Sequence, residues 1–301
     1  MFSPGYIAFL VTAAVLNISG FISNGFIVTV MITAWTKSRR LASSEQLLLS
    51  LGLSNLWVTI VLIVFCFGFA TLTNFNDQIF LFSFFSFAVV VRYWLTVLLC
   101  FFYCIKIVNS THTFFLWCKL RISWLIPRLL VGSIIITLLA FVMILSFMYI
   151  LPPPANVTTV IHAMSHSESI KSLIVFFLTV GSGCPFLLVL LCSILVVASL
   201  CGHVCQMTGK ESHLRSFQTK AHVQAARTVL SLLLLFLSFF VAQTLSMTVD
   251  IGYNERLFIF TVMTIYSPAA ILVLSNPKLK QALTVMVQRA VAQAGEQASC
   301  N

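Results

Sequence analysis

Long apolar stretches broken by short polar ones dominate the chain, and within the stretches hydrophobic residues do not alternate with polar ones. Alternation with a period of two would mark barrel strands, which face lipid on one side and a lumen on the other. Unbroken runs of about 20 apolar residues mark helices crossing a bilayer, where intrahelical hydrogen bonds satisfy every peptide group. The runs predict seven such helices, over residues 6–34, 46–71, 80–108, 125–150, 171–202, 223–247 and 256–275, and a short tail over 276–301. The last two helices separate at the polar stretch holding Asp250, Gly252, Asn254, Glu255 and Arg256. The first run lacks the basic n-region and small-residue cleavage site of a signal peptide, so it is expected to remain as the first helix. The prediction is an all-α membrane protein, a single seven-transmembrane-helix bundle spanning 1–301.

Composition agrees with lipid as the solvent. Hydrophobic residues make up 60% of the chain and charged ones 8%, against roughly 25% charged in soluble domains. A soluble enzyme, a disordered regulator and a secreted disulfide scaffold are thereby excluded.

The cations set the orientation. Fourteen of the 17 Lys and Arg residues fall on one side, from Lys37, Arg39 and Arg40 through Lys106, Lys119, Arg121 and Arg128 to Lys278, Lys280 and Arg289. Arg92, Lys171 and Arg256 are left for the other. By the positive-inside rule the richer side is cytosolic, so the N-terminus is expected outside and the C-terminus inside, at the plasma membrane. The net charge of +10 then describes a face turned to anionic lipid or an acidic partner, and needs no nucleic acid. Of the three sequons, Asn17 lies within the first helix and Asn109 at a cytosolic helix end, which leaves Asn156 as the expected glycosylation site.

Candidate chemistry is sparse. The nine cysteines avoid the predicted outer loops, so they read as thiols, with palmitoylation near the membrane one use for them. Cys201, His203 and Cys205 share a helix face but lack the further ligands of a metal centre, and His162, His166 and Glu168 read as a solvated loop; no metal or other cofactor is expected. Ionisable residues clustered within helices would mark an intramembrane enzyme, and a repeat or charged coupling groups would mark a transporter. Neither pattern occurs, and residues 257–275 hold no lysine for a retinal Schiff base. A non-enzymatic seven-helix receptor remains.

Helix 3 makes the reading specific. The stretch Phe102-Tyr103-Cys104-Ile105-Lys106-Ile107-Val108-Asn109 resembles the Phe-Tyr-x-x-Lys-Ile-Ala-Asn segment of the type 2 taste receptors, the bitter receptors. Asn24-Gly25-Phe26-Ile27, Pro185-Phe186, Ser199-Leu200 with His203, Lys220-Ala221-His222 with Arg227, and Asn276-Pro277-Lys278-Leu279-Lys280-Gln281 are similar to that family's other junctions, in order along nearly the whole chain. The Asp/Glu-Arg-Tyr and Asn-Pro-x-x-Tyr motifs of the commoner rhodopsin-like receptors do not occur. The chain departs from the bitter-receptor pattern at Asn55, where arginine is usual, at Arg227 in place of lysine, and at Pro268-Ala269 in place of His-Ser.

The resemblance implies a receptor that binds small bitter compounds in the outer half of the bundle and activates a heterotrimeric G protein of the gustducin and inhibitory class. A vomeronasal-type pheromone receptor or a seven-helix carrier is the alternative. Trp94, nine residues before Tyr103, aligns with a tryptophan ligand platform, and its ring suits stacking on alkaloids or terpenoids; a place in the interfacial aromatic belt is the other reading. Phe239 and Phe258 align with pocket positions that are often polar in the family. Tyr103, Lys106, His203, His222 and Arg227 are expected to form a latch joining helices 3, 5 and 6, whereas snorkelling to headgroups would account for Lys106 alone. Asn24, Ser54 and Asn55 are expected to hydrogen-bond between helices 1 and 2. Arg92 lies about 200° around the helix from Trp94, so it is expected to pair with Asp77, Glu168 or Glu255 over the pocket, or else to meet an acidic ligand directly.

Overall fold

The computed structural model describes residues 4–71, 75–108, 113–150, 181–207, 226–241, 244 and 269–299. They contain no strand. The helices, in chain order, are α1 (Pro4–Ser38), α2 (Ser43–Thr71), α3 (Phe75–Ile107), α4 (Thr113–Ile150), α5 (Cys184–Met207), α6 (Ala226–Val241), α7 (Ala269–Ser275) and α8 (Pro277–Ser299).

Local chemistry ends α1 and starts α2. Arg39 adopts φ 55° and its N–H donates to the Trp35 carbonyl at 2.8 Å, a left-handed cap on α1. The Glu45 carboxylate then reaches back to the Ala42 N–H at 3.0 Å, the acidic half of a capping box.

Two elements differ from the pattern of apolar runs. The helix expected from residue 125 begins at Thr113, so Lys119 and Arg121 ride on α4 with Arg128 and not in a connecting loop. The expected tail forms α8. In both places mixed polar and apolar residues lower the local hydropathy that marks a span, and α4 runs on through Pro127, which has no N–H to give the Ser123 carbonyl.

α3 is the axis of the bundle, packing against α2, α4 and α5. Of its span, 78% is buried inside the protein, against 17% for α4, which lies at the periphery with Leu139, Val142 and Met143 turned outward. In lipid such exposure is no defect, because helix association there rests on close packing and polar contacts. Both occur between α1 and α2. A Cβ on Gly52 would sit 3.1 Å from Val28 Cγ2, so the glycine is what lets the two helices approach. The Asn55 Nδ2 donates to Asn24 Oδ1 at 3.0 Å, and Asn24 Nδ2 donates to the Gly20 carbonyl at 2.8 Å. Ser54 takes no part in this pairing. Asn55 Oδ1 is buried with no hydrogen-bond partner among the described residues. A double-mutant cycle of Asn24→Ala and Asn55→Ala, read by thermal melting in nanodiscs, is expected to give a coupling of about 0.6 kcal/mol, the usual worth of an interhelical hydrogen bond in lipid. Strict additivity would assign the pair no role in joining α1 to α2.

Candidate functional site

The midsection of α3 meets α5 and α6 through aromatic rings. Phe236, Phe239 and Phe240 recur on α6 at spacings of three and four, which puts them on one face. Phe236 packs on Tyr93 of α3 with centroids 4.8 Å apart, and Phe240 stacks on Phe186 of α5 at 5.0 Å with planes 5° apart. Phe186 also lies 6.3 Å from Phe236, so the rings of three helices form one cluster.

A cation is held inside it. Arg92 is 4% exposed, and its guanidinium carbon lies over the Phe239 ring at 4.8 Å and the Tyr93 ring at 5.7 Å. The negative face of an aromatic quadrupole attracts a cation, most strongly where water is excluded. Thr96 Oγ1 closes the turn beneath by donating to the Arg92 carbonyl at 2.9 Å. Two residues nominated from sequence, Arg92 and Phe239, are thus brought together.

The expected pairing of Arg92 with Asp77 does not form. Asp77 is exposed in the first turn of α3, fifteen residues from Arg92 and so about 22 Å away along the same helix. Glu168 and Glu255 lie outside the described residues. Arg92 turns inward to α6, and Trp94, on another side of α3, is half-buried. Phe258 and Asn156 lie outside the described residues.

The residues proposed for a latch at the inner end are only partly placed. Tyr103 is half-buried and meets Phe102 edge-on at 5.8 Å. Lys106 is exposed in the last turn of α3, and Arg227 is exposed in the first turn of α6. Among the described residues no hydrogen bond or ion pair joins Tyr103, Lys106 and Arg227. His203 belongs to α5, and His222 lies outside the described residues.

A polar clasp occurs instead between α2 and α8. Lys278 Nζ donates to Glu45 Oε1, forming an ion pair in which the carboxylate is buried and the lysine exposed. Asn276 sets the position of Lys278. Its side-chain oxygen accepts from the Lys278 N–H at 3.0 Å and the Leu279 N–H at 3.3 Å, capping α8, with Pro277 in the first helical position where a missing N–H costs nothing. Sequence reasoning missed this clasp and the aromatic partners Tyr93, Phe186, Phe236 and Phe240. The ring spacing on α6 was a usable signal, whereas nothing in the sequence linked Glu45 to a residue 233 positions away.

The bundle superposes on the crystal structure of squid rhodopsin with a TM-score of 0.65 at 12% identity, over 95% of this chain and 86% of that one. The fold is therefore the seven-helix architecture of the G-protein-coupled receptors. Among curated proteins the chain is 30% identical to taste receptor type 2 member 4 of Homo sapiens over 287 residues, 91% of this chain and 95% of that protein. It is 28% identical to taste receptor type 2 member 134 of Rattus norvegicus over 295 residues, 93% of this chain and 86% of that protein. The model of the family described as taste receptor protein (TAS2R) matches residues 1–291, so that a multi-pass helical bundle, the junction sequences of α3, α5 and α8, and a match along nearly the whole chain identify this protein as a member of the TAS2R taste receptor family.

Proposed function

We propose that this protein is a bitter taste receptor of the plasma membrane, with its N-terminus extracellular and its C-terminus cytosolic. It binds small, mostly apolar bitter compounds in the outer half of the bundle and activates a heterotrimeric G protein of the gustducin and inhibitory class. The family match over residues 1–291 carries this reading. The aromatic cluster of α3, α5 and α6 supports the character of the ligand, since a site bordered by Phe239 and Phe240 offers stacking surface and few hydrogen bonds. Trp94 is the proposed platform. It stands twelve residues before Lys106, about 18 Å up the helix, and thus toward the outer side. Phe258 completes the proposed wall, Arg92 ties α3 to α6 behind Phe239 or else meets an acidic ligand directly, and Tyr103, Lys106, His203, His222 and Arg227 form the proposed coupling face.

The test is a calcium response to bitter compounds in cells supplied with a gustducin-containing chimeric G protein. A carrier gives none, and a pheromone receptor answers pheromone mixtures in place of bitter compounds. Trp94→Ala is expected to weaken the response to most agonists by roughly 1–3 kcal/mol, with surface protein unchanged. Identical dose responses for several agonists would move Trp94 to the lipid face. Glycosylation checks the topology. Asn156→Gln should remove the glycan, while Asn17→Gln and Asn109→Gln should keep it; a glycan that survives the Asn156 change overturns the orientation.

A further inference from the structure

The early start of α4 creates a surface that the receptor reading does not use. Trp117, Arg121, Trp124 and Arg128 recur at spacings of four, three and four, within an arc of about 60° on one face of the helix. All four side chains are exposed. Each arginine lies against the tryptophan one turn before it. The Arg121 guanidinium carbon is 5.8 Å from the Trp117 ring centroid and that of Arg128 is 3.4 Å from the Trp124 centroid. Arg128 Nη1 also donates to the Trp124 carbonyl at 3.4 Å.

α4 lies at the periphery of the bundle, so the stripe is open to a surrounding bilayer. α4 has 38 residues, about 57 Å at helical rise, against a hydrocarbon core of about 30 Å, so one end extends well into the headgroup layer. The extending end is the one that follows α3, on the same side as Lys106 and the Glu45–Lys278 clasp. Leu116 and Leu120 are exposed beside the stripe, while Leu139, Val142 and Met143 continue the outward apolar surface toward the other end. No acidic residue occurs anywhere in α4. A cationic, aromatic face with no internal counter-charge is complementary to anionic headgroups.

Its spacing selects among them. Arg121 and Arg128 are seven residues apart, about 10 Å along the helix and hence at different depths in the bilayer. A headgroup with a single phosphate meets one of them. An inositol ring carrying further phosphates away from its glycerol diester presents phosphate at both depths, the diester to Arg128 and the outer groups to Arg121. Ring contacts engage the faces of the guanidinium groups, whose N–H donors lie in the plane and suit phosphate oxygens. We propose that the Trp117–Arg121–Trp124–Arg128 face of α4 is a binding site for the headgroup of a polyphosphoinositide in the cytosolic leaflet.

The full-length receptor in phosphatidylcholine nanodiscs doped with phosphatidylinositol bisphosphate or phosphatidylserine, read by native mass spectrometry of retained lipid, tests this. The bisphosphate lipid should be retained in preference to phosphatidylserine. Retention should fall roughly thirtyfold in the double variant Arg121→Gln, Arg128→Gln. Lys119→Gln removes the same charge about 200° around the helix and should leave retention unchanged. Arg121→Gln alone should abolish the preference over phosphatidylserine, and it decides the matter should the double variant fail to fold. Soluble inositol trisphosphate should compete only weakly, since it lacks the acyl chains that hold the lipid against α4. Equal retention of the two lipids, equal loss in the Lys119 variant, or full competition by the soluble phosphate would each overturn the proposal. So would unchanged retention in a folded double variant, and a loss of G-protein activation in that variant without a loss of lipid would assign the face to a protein partner.

Discussion

Phe236→Ala is expected to lower the thermal stability of the purified receptor by roughly 3–5 kcal/mol, the largest effect of any single truncation in α6. Phe236 is 2% exposed and touches both Tyr93 of α3 and Phe186 of α5, so its removal leaves a void between three helices. Lipid cannot fill a void enclosed by protein, and the lining residues lose dispersion contacts outright. Leu234 supplies the control. It lies two residues away on the same helix, 67% exposed, and after Leu234→Ala an acyl chain takes the place of the lost side chain. Melting curves in nanodiscs should therefore separate the two variants clearly. Similar small shifts for both would mean that the aromatic cluster does not join the helices.

Arg92→Ala is expected to cost roughly 3 kcal/mol of stability, from the ring contacts of a desolvated cation together with the packing of its long stem. The loss should couple to Phe239. In a double-mutant cycle of Arg92→Ala with Phe239→Leu, the pair is expected to fall short of the sum of the single losses by about 1 kcal/mol, because one interaction is removed twice. Dose responses show whether Arg92 also touches ligand. As a tie between α3 and α6 it should weaken neutral and anionic agonists equally when changed to Ala, with part of the response restored by Arg92→Lys. A loss confined to the anionic agonist would make Arg92 a ligand contact instead.

The inner end of the bundle shows how far a sequence motif specifies geometry. Lys106 and Tyr103 belong to the segment that most strongly marks the family, yet they take different environments, Lys106 exposed and Tyr103 half-buried against Phe102. The ion pair at that end joins Glu45 to Lys278, which no local pattern connects. Asn24 and Asn55 were legible as interhelical partners, because an amide in an apolar run must find a partner within the bundle. Their hydrogen bond also places Asn55 against α1.

What the sequence determined by itself was the solvent and the architecture. Apolar runs of the length of a bilayer leave a helix as the only way to satisfy the backbone, and the ordered junction motifs identify the family before any contact is known. Only the tertiary structure decided which side of α3 faces inward. The start of α4 and the helical tail α8 rest on helix propensity in mixed segments, a local signal that apolar runs do not carry. The inward side of α3 depends on neighbours: α3 is apolar around nearly its whole circumference, so its sequence does not distinguish the face that meets Phe239 from the face that carries Trp94. Packing against α5 and α6 turns Arg92 inward, where the faces of the Tyr93 and Phe239 rings lie against its guanidinium.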